Sequence, residues 1–347
     1  MPIDLPLLKE LCEAPGAPGH EERIRAIVLR ELTGLCDEVK VDALGNVIGL
    51  RRGSEGGRFM ASAHLDEIGF MVSHIHDQGF LHFVPLGGFD PKTLTAQRVI
   101  VHGRVDLIGV MGSKPIHIMT DEDRKKELKL SDFFIDLGLP VERVRELVRV
   151  GDVVTRERQV IEVGEMINGK SFDDRVGLFV LIEGLRAARH NLMDIYAVAS
   201  TQEEIGIRGA SVAAQNIKPH VGVALDITLA NDVPFAEPRD YITVMGKGTA
   251  IKVYDASAVP NWKLVDFMRE VCEQRAIPHQ FEVLPRGGTD TAAIQRAGGG
   301  AAAGCISVPT RYVHSVIEMV HPGDVEASIR LMAALIEECQ QDAFALT

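Results

Sequence analysis

The sequence has few cysteines, and none of them is spaced as a metal-binding or disulfide motif requires. Only five occur among 347 residues, and no two stand in a CxxC arrangement. Cysteine-based zinc sites use closely spaced pairs, and disulfide-rich domains use an even and dense set. We therefore expect reduced thiols and a cytoplasmic protein.

Two further features are absent. No apolar run reaches membrane-spanning length, and the first residues lack the basic and apolar regions of a signal peptide, so we expect no membrane partner. There is also no excess of basic residues: 37 Lys and Arg stand against 49 Asp and Glu, a net charge of −12. An acidic balance argues against nucleic acid as a partner.

Hydrophobic residues, at 46% of the sequence, are numerous enough for a large core. The helix predicted after Pro260 is the clearest, because apolar residues recur on one of its faces from Leu264 to Cys272. Another helix is predicted to begin at Pro322. Strands alternate with such helices over most of the chain, which predicts an α/β fold with a mixed, mostly parallel sheet flanked by helices.

The pattern changes between residues 69 and 163. Helical periodicity nearly vanishes there, and short strands alternate with turns that carry glycine and proline. We therefore predict a small β-rich domain at 69–163, inserted into a domain formed by 1–68 and 164–347.

Potential metal ligands lie at the ends of predicted strands in the larger domain. In α/β sheets, ligands gather beyond the carboxyl ends of the strands, so these side chains are expected to meet. A further pair of carboxylates stands where a predicted helix begins, at Asp173 and Asp174. The strand-end candidates are His64 with Asp66, the pair Glu203 and Glu204, Asp226, and His314.

Imidazole and carboxylate ligands without thiolate suit Zn²⁺, Co²⁺ or Mn²⁺. Two histidines and three carboxylates exceed what one tetrahedral ion with an open position needs. They suit two ions about 3.5–4 Å apart that share a bridging carboxylate. Asp66 is placed to accept the second N–H of His64, and one of the two adjacent glutamates is free to transfer a proton.

The chain closely resembles the M42 family of metallo-aminopeptidases, which includes the TET peptidases and members sometimes labelled endoglucanases. The resemblance spans residues 64 to 315, in family order. It rests on His64-Leu65-Asp66-Glu67-Ile68-Gly69, Phe172-Asp173-Asp174-Arg175, Thr201-Gln202-Glu203-Glu204-Ile205-Gly206, Ala224-Leu225-Asp226, Gly287-Gly288-Thr289-Asp290 and Pro309-Thr310-Arg311-Tyr312-Val313-His314-Ser315.

The resemblance implies two divalent ions per chain, Zn²⁺ or Co²⁺ with Mn²⁺ also possible, and a cis peptide bond between the two aspartates. It implies short peptides as substrates and a homo-oligomer, a dimer or dodecamer, formed through the inserted domain. The implied roles are His64 and Asp226 on one ion, Glu204 and His314 on the other, Asp173 bridging both, Glu203 as general base and Asp66 as the partner of His64. We expect substrate contacts from Gly288, Thr289, Asp290 and Arg311.

Three other functions would account for parts of the same residue pattern. A glycoside hydrolase could use Glu203 with another carboxylate, but one Trp and 5% aromatic residues provide little for stacking on sugar rings, and that chemistry needs no metal. A di-metal deacylase of N-acyl amino acids would use the same ligands. A non-catalytic assembly protein would not be expected to keep the complete ligand set.

Overall fold

The computed structural model describes residues 3–234 and 236–346. The chain begins with two helices that pack their apolar faces onto the core, and Asp4 caps the first of them by accepting the N–H of Leu7 at 3.1 Å. A hairpin and a buried strand follow. These elements are α1 Leu5–Glu13, α2 Glu22–Thr33, β1 Glu38–Val41, β2 Val47–Arg51 and β3 Arg58–His64.

The next segment forms a closed six-stranded barrel in the order β4-β5-β8-β7-β6-β9, with its own apolar core around Phe70, Val101 and Ile135. The charged segment near residue 121 is a short exposed helix, α3. The elements are β4 Gly69–Ile75, β5 Leu81–Leu86, β6 Arg98–His102, β7 Asp106–Ser113, α3 Asp121–Lys125, β8 Phe133–Asp136, α4 Val141–Leu147 and β9 Val153–Arg156.

Strands and helices then alternate through the remainder of the chain. The two helices with the clearest apolar periodicity form as predicted, as α7 and α9. The elements are β10 Ile161–Val163, β11 Met166–Gly169, α5 Phe172–Ala187, β12 Asp194–Ser200, α6 Arg208–Ile217, β13 Val221–Leu229, β14 Thr249–Tyr254, α7 Trp262–Gln274, β15 His279–Val283, α8 Thr291–Gln295, β16 Ala302–Arg311, β17 Glu318–Val320 and α9 Pro322–Glu338.

An 11-stranded mixed sheet organises the larger part of the chain, and this confirms the predicted fold class. Its main order is β1-β2-β12-β3-β13-β16-β17-β11-β10, with β14 paired to β16 and β15 paired to β14. The four central strands β12, β3, β13 and β16 run parallel, and the other pairs in this order are antiparallel. On the side branch, β14 pairs antiparallel with β16 and parallel with β15. The carboxyl ends of the central strands therefore meet at one edge of the sheet.

Helices cover both faces of this sheet. One large apolar cluster joins α1, α2, α5, α7 and α9 to one face, and a smaller cluster joins α6 and α8 to the other. The central strands are buried on both sides, which explains their nearly continuous apolar sequences. No described helix is both long and apolar enough to cross a membrane.

The predicted domain limits, 1–68 with 164–347 and 69–163, remain a prediction. The barrel spans β4 to β9, and its apolar core is separate from the clusters that pack on the large sheet. Strand β10, inside the predicted inserted domain, pairs instead with β11 of the large sheet.

Candidate metal centre and active site

The central strands bring four of the predicted ligands to one edge of the sheet. His64 ends β3 and lies opposite Ser200, the last residue of the neighbouring β12, so the turn that carries Glu203 and Glu204 starts beside His64. Asp226 does not end its strand as predicted, because β13 continues to Leu229. His314 follows the end of β16 after a turn of two residues.

Asp173 lies between the two histidines. Its Oδ1 is 3.0 Å from Nε2 of His64, and its Oδ2 is 3.1 Å from Nε2 of His314. Asp173 and Asp174 have non-helical backbone angles at the start of α5, and the peptide bond between them is cis. The carboxylate of Asp173 faces two separate imidazoles.

The donor set suits divalent cations. Ligand atoms of His64, Asp173 and Glu204 lie within 4.8 Å of one another, and so do those of His64, Asp174 and Asp226. Among the described residues, Oε1 of Glu204 is buried without a hydrogen-bond partner, and it lies 3.4 Å from Nε2 of His314. A buried carboxylate oxygen without a hydrogen bond is costly, and a cation at this position would remove the cost.

The pKa values of the cluster also indicate an excess of negative charge among its buried side chains. Burial lowers the pKa of His314, but its interactions with Asp173 and Glu204 outweigh burial and raise that pKa to about 11. Burial, followed by the charge of Asp173, raises the pKa of Asp226 well above its ordinary value. Without cations, protons must balance the acidic groups, so metal binding here would release protons.

Asp66 acts on its surroundings differently from the prediction. The carbonyl oxygen of Asp66, rather than its carboxylate, lies closest to Nδ1 of His64, at 2.9 Å, while the carboxylate is 3.5 Å away. The carboxylate accepts the main-chain N–H groups of Glu203 at 2.9 Å and Glu204 at 3.0 Å. Asp66 therefore contacts both sides of the cluster, His64 through its backbone and the glutamate turn through its side chain.

Asp174 is engaged with main-chain groups. Its two oxygens accept the N–H groups of His64 and Gly177, both at 3.0 Å, so it orients the end of β3 against the start of α5. Arg175 does not neutralise the two aspartates by an ion pair. Its fully buried guanidinium donates to the carbonyls of Leu11 and Ala14, and its nearest acid is a different carboxylate, that of Glu67.

An open cavity of about 640 Å³ lies over the cluster and exposes the proposed ligands and Glu203. Among the predicted substrate contacts, Gly288 and Thr289 line it. Gly88, Phe89 and Asp90, from the segment after β5, also line it, so the part of the chain that forms the barrel contributes to the cavity. The remaining wall residues are mostly apolar: Ile207, Ile227, Thr228, Leu229, Leu284, Arg286, Gly287 and Val313.

Two of the predicted substrate contacts have protein partners instead. Asp290 is buried below the cavity, where one oxygen accepts hydrogen bonds from Ser62 and Ser200 at 2.6 and 2.7 Å. Arg311 forms two hydrogen bonds with Asp232, at 3.1 and 2.6 Å. These contacts favour structural roles, and a direct substrate role for either residue remains a prediction.

Glu318 also belongs to the site, although the sequence pattern did not predict it. This residue is fully buried, and its two oxygens accept the N–H groups of Asp173 and His314. Burial raises its pKa to about 7, and the charge of Arg156 is the largest opposing effect. An isolated carboxylate inside the apolar run from Val316 to Val320 is the sequence signal that could have revealed it.

The fold and the cluster together define a class of protein, an α/β protein with a carboxylate- and histidine-rich site suited to metal ions. The profile of the M42 glutamyl aminopeptidase family matches residues 45–331. The chain belongs to the M42 peptidase family and is an enzyme that hydrolyses peptide bonds.

Individual relatives agree with this assignment. The lysyl aminopeptidase of Pyrococcus furiosus is 37% identical over 346 residues, covering 97% of both chains. The solved structure of aminopeptidase APDkam598 from Desulfurococcus kamchatkensis superposes with a TM-score of 0.94 at 37% identity, covering 98% of this chain and 96% of the other. The Pyrococcus horikoshii TET1 peptidase, which can assemble into a tetrahedron or a large octahedral shell, gives 0.86 at 31% identity, covering 96% and 99%.

Proposed function

We propose that the chain is a metal-dependent aminopeptidase that removes N-terminal residues from peptides. The observation that carries the proposal is the position of Asp173, whose two oxygens each face a different histidine within the cavity. In the proposed site, His64 and Asp226 would hold one divalent ion. His314 and Glu204 would hold a second ion, and Asp173 would be shared between the two. Zn²⁺ and Co²⁺ suit these donors, and Mn²⁺ is also compatible with them.

Two such ions would supply Lewis-acid polarisation of a peptide carbonyl and lower the pKa of a water molecule. Glu203 is the proposed general base. Its main chain is fixed by Asp66, while its side chain lines the cavity and accepts no hydrogen bond from the described residues. It takes a proton from the attacking water, whose oxygen bonds to the carbonyl carbon, and delivers that proton to the nitrogen as the C–N bond breaks.

We further propose that a free α-amino group is required in the substrate. A free α-amino group has a nitrogen lone pair that would coordinate a divalent ion at the site, whereas the lone pair of an acylated nitrogen is delocalised into its carbonyl group. This distinguishes the proposal from the deacylase alternative. The apolar wall near Leu229 and Leu284 would pack against the side chain of the first residue.

Two further proposals concern the assembly and the location of the protein. We propose a homo-oligomer, a dimer or dodecamer joined through the barrel, in line with the assembly described for the Pyrococcus horikoshii relative. We also propose a cytoplasmic location, supported by five free cysteines, four of them buried.

The test is a comparison of aminoacyl-anilides with their N-acetylated counterparts, before and after chelator treatment. We expect hydrolysis of the free-amine substrates only, loss of activity with the chelator, and recovery when Co²⁺ or Zn²⁺ is returned. Preferential hydrolysis of acylated substrates would favour the deacylase. Chelator-resistant cleavage of a β-glucan, without peptidase activity, would favour the glycoside hydrolase.

A further inference from the structure

Strand β17 lies between the two loops that carry Asp173 and His314. It pairs on one side with β16, which leads to His314, and on the other side with β11, which leads to Asp173. The side-chain amide of Asn168 in β11 also donates to the carbonyls of Ile317 and Glu318, at 2.8 and 3.0 Å. The backbone of β17 is therefore fixed relative to both loops.

The side chain of Glu318 connects the same two loops. Its Oε1 accepts the N–H of His314 at 2.8 Å, and its Oε2 accepts the N–H of Asp173 at 3.3 Å. His314 has a left-handed backbone with φ of 62°, which is unfavourable for a residue other than glycine. The hydrogen bond from Glu318 helps to hold this conformation, which directs the imidazole toward Asp173.

A buried cation lies near this carboxylate. Arg156, the last residue of β9 in the barrel, is 3% exposed, and within the described part of the chain its Nε and Nη1 have no hydrogen-bond partner. Its guanidinium carbon is 5.8 Å from the centre of the Phe89 ring, and Phe89 lines the cavity. Both oxygens of Glu318 are acceptors in this arrangement, one for each main-chain N–H.

We propose that Glu318 is a positioning residue that sets the geometry of Asp173 and His314, and so the affinity of the site for its second metal ion. The inference rests on the proposed metal centre. Glu318 acts through main-chain N–H groups and lies outside the set of residues proposed as ligands. Residues that orient metal ligands in this way typically change metal affinity or activity about 10–100-fold when replaced.

The test uses Glu318→Gln, because the amide keeps the size of the side chain but can accept only one of the two N–H groups. The second variant is Glu318→Asp, which keeps the charge but is too short to reach both loops. The matched control is Glu337→Gln at the end of α9. Glu337 is also buried and accepts a main-chain N–H, from Arg189 at 2.9 Å, but it contacts none of the proposed ligands.

Each metal-free protein is titrated with Co²⁺ against a chromophoric chelator, and the visible absorption of the bound Co²⁺ is recorded. We expect wild type and the control to bind two ions with the same affinities and spectra. We expect the second ion to bind about 10–100-fold more weakly to both Glu318 variants, with a changed spectrum. If Glu318→Gln does not fold, the Co²⁺ titration of Glu318→Asp tests the inference by itself.

Two other results have distinct meanings. Wild-type affinities and spectra in a folded Glu318 variant, even with a lowered thermal midpoint of the metal-free protein, would overturn the inference and leave a purely structural role. Failure of the wild-type protein to bind Co²⁺ would instead contradict the proposed function.

Discussion

Replacing Glu203 with glutamine tests the proposed general base. The change removes the proton acceptor and keeps the shape of the side chain. The turn is expected to stay in place because Asp66 holds it through the main chain, at 2.9 Å from the nitrogen of residue 203. The carboxylate that is replaced accepts no hydrogen bond from the part of the chain that the structure describes. The free energy of unfolding should therefore change by less than about 0.5 kcal/mol.

The expected effect on catalysis is large. A positioned acid–base residue contributes about 10²–10⁴-fold to a rate. At about 1.4 kcal/mol per factor of ten, removing Glu203 should raise the activation barrier by about 3–6 kcal/mol. The ligand atoms of His64, Asp173 and Asp226 are unchanged, so metal binding should persist.

The assay measures kcat and KM for an aminoacyl-anilide, together with metal content and thermal midpoint. Glu142→Gln, on the exposed helix α4, is the matched control and should behave as wild type. We expect Glu203→Gln to lose at least 100-fold in kcat while retaining its metal and its stability. A folded, metal-loaded variant with wild-type kcat would refute the role of Glu203.

Three further predictions concern neighbouring groups and the assembly. Asp66→Asn should lower kcat by about 10–100-fold with intact folding, because one N–H of the glutamate turn loses its acceptor, and wild-type kinetics would contradict this. Lys252→Met should destabilise the protein by about 3–5 kcal/mol in urea unfolding, because it leaves the buried charge of Glu282 unpaired. The double variant Lys252→Met/Glu282→Leu should recover much of that loss, and equal stability of the two variants would contradict the explanation. Light scattering after size exclusion should give two or twelve times the 37.9 kDa chain mass, whereas a monomer at micromolar concentration would contradict assembly through the barrel.

Much of the fold could be predicted because its signals are local. The apolar stripe of α7 and the proline that opens α9 lie within single elements, and the structure has both helices. The barrel order β4-β5-β8-β7-β6-β9 could not be predicted in the same way, since the pairing of distant short strands depends on the closed arrangement of all six.

His64, Glu204 and His314 come together because parallel strands end at one edge of a sheet, so position along the chain was sufficient to group them. Asp226 lies within β13 and Asp173 at the start of α5, so the strand-end argument does not account for their positions. The direction of individual side chains was less predictable. The sequence placed Asp66 beside His64, but only the backbone turn shows that its carboxylate points to the N–H groups of Glu203 and Glu204. Glu318 was missed because its role depends on the pairing of β17 with two strands distant in sequence.

Anomalous diffraction from crystals of the zinc-loaded protein, recorded at the zinc edge, tests the central proposal most directly. We expect two peaks per chain, about 3.5–4 Å apart, on either side of the Asp173 carboxylate. One peak should lie beside His64 and Asp226, and the other beside His314 and Glu204. A single peak, or peaks away from Asp173, would contradict a two-metal centre at this site.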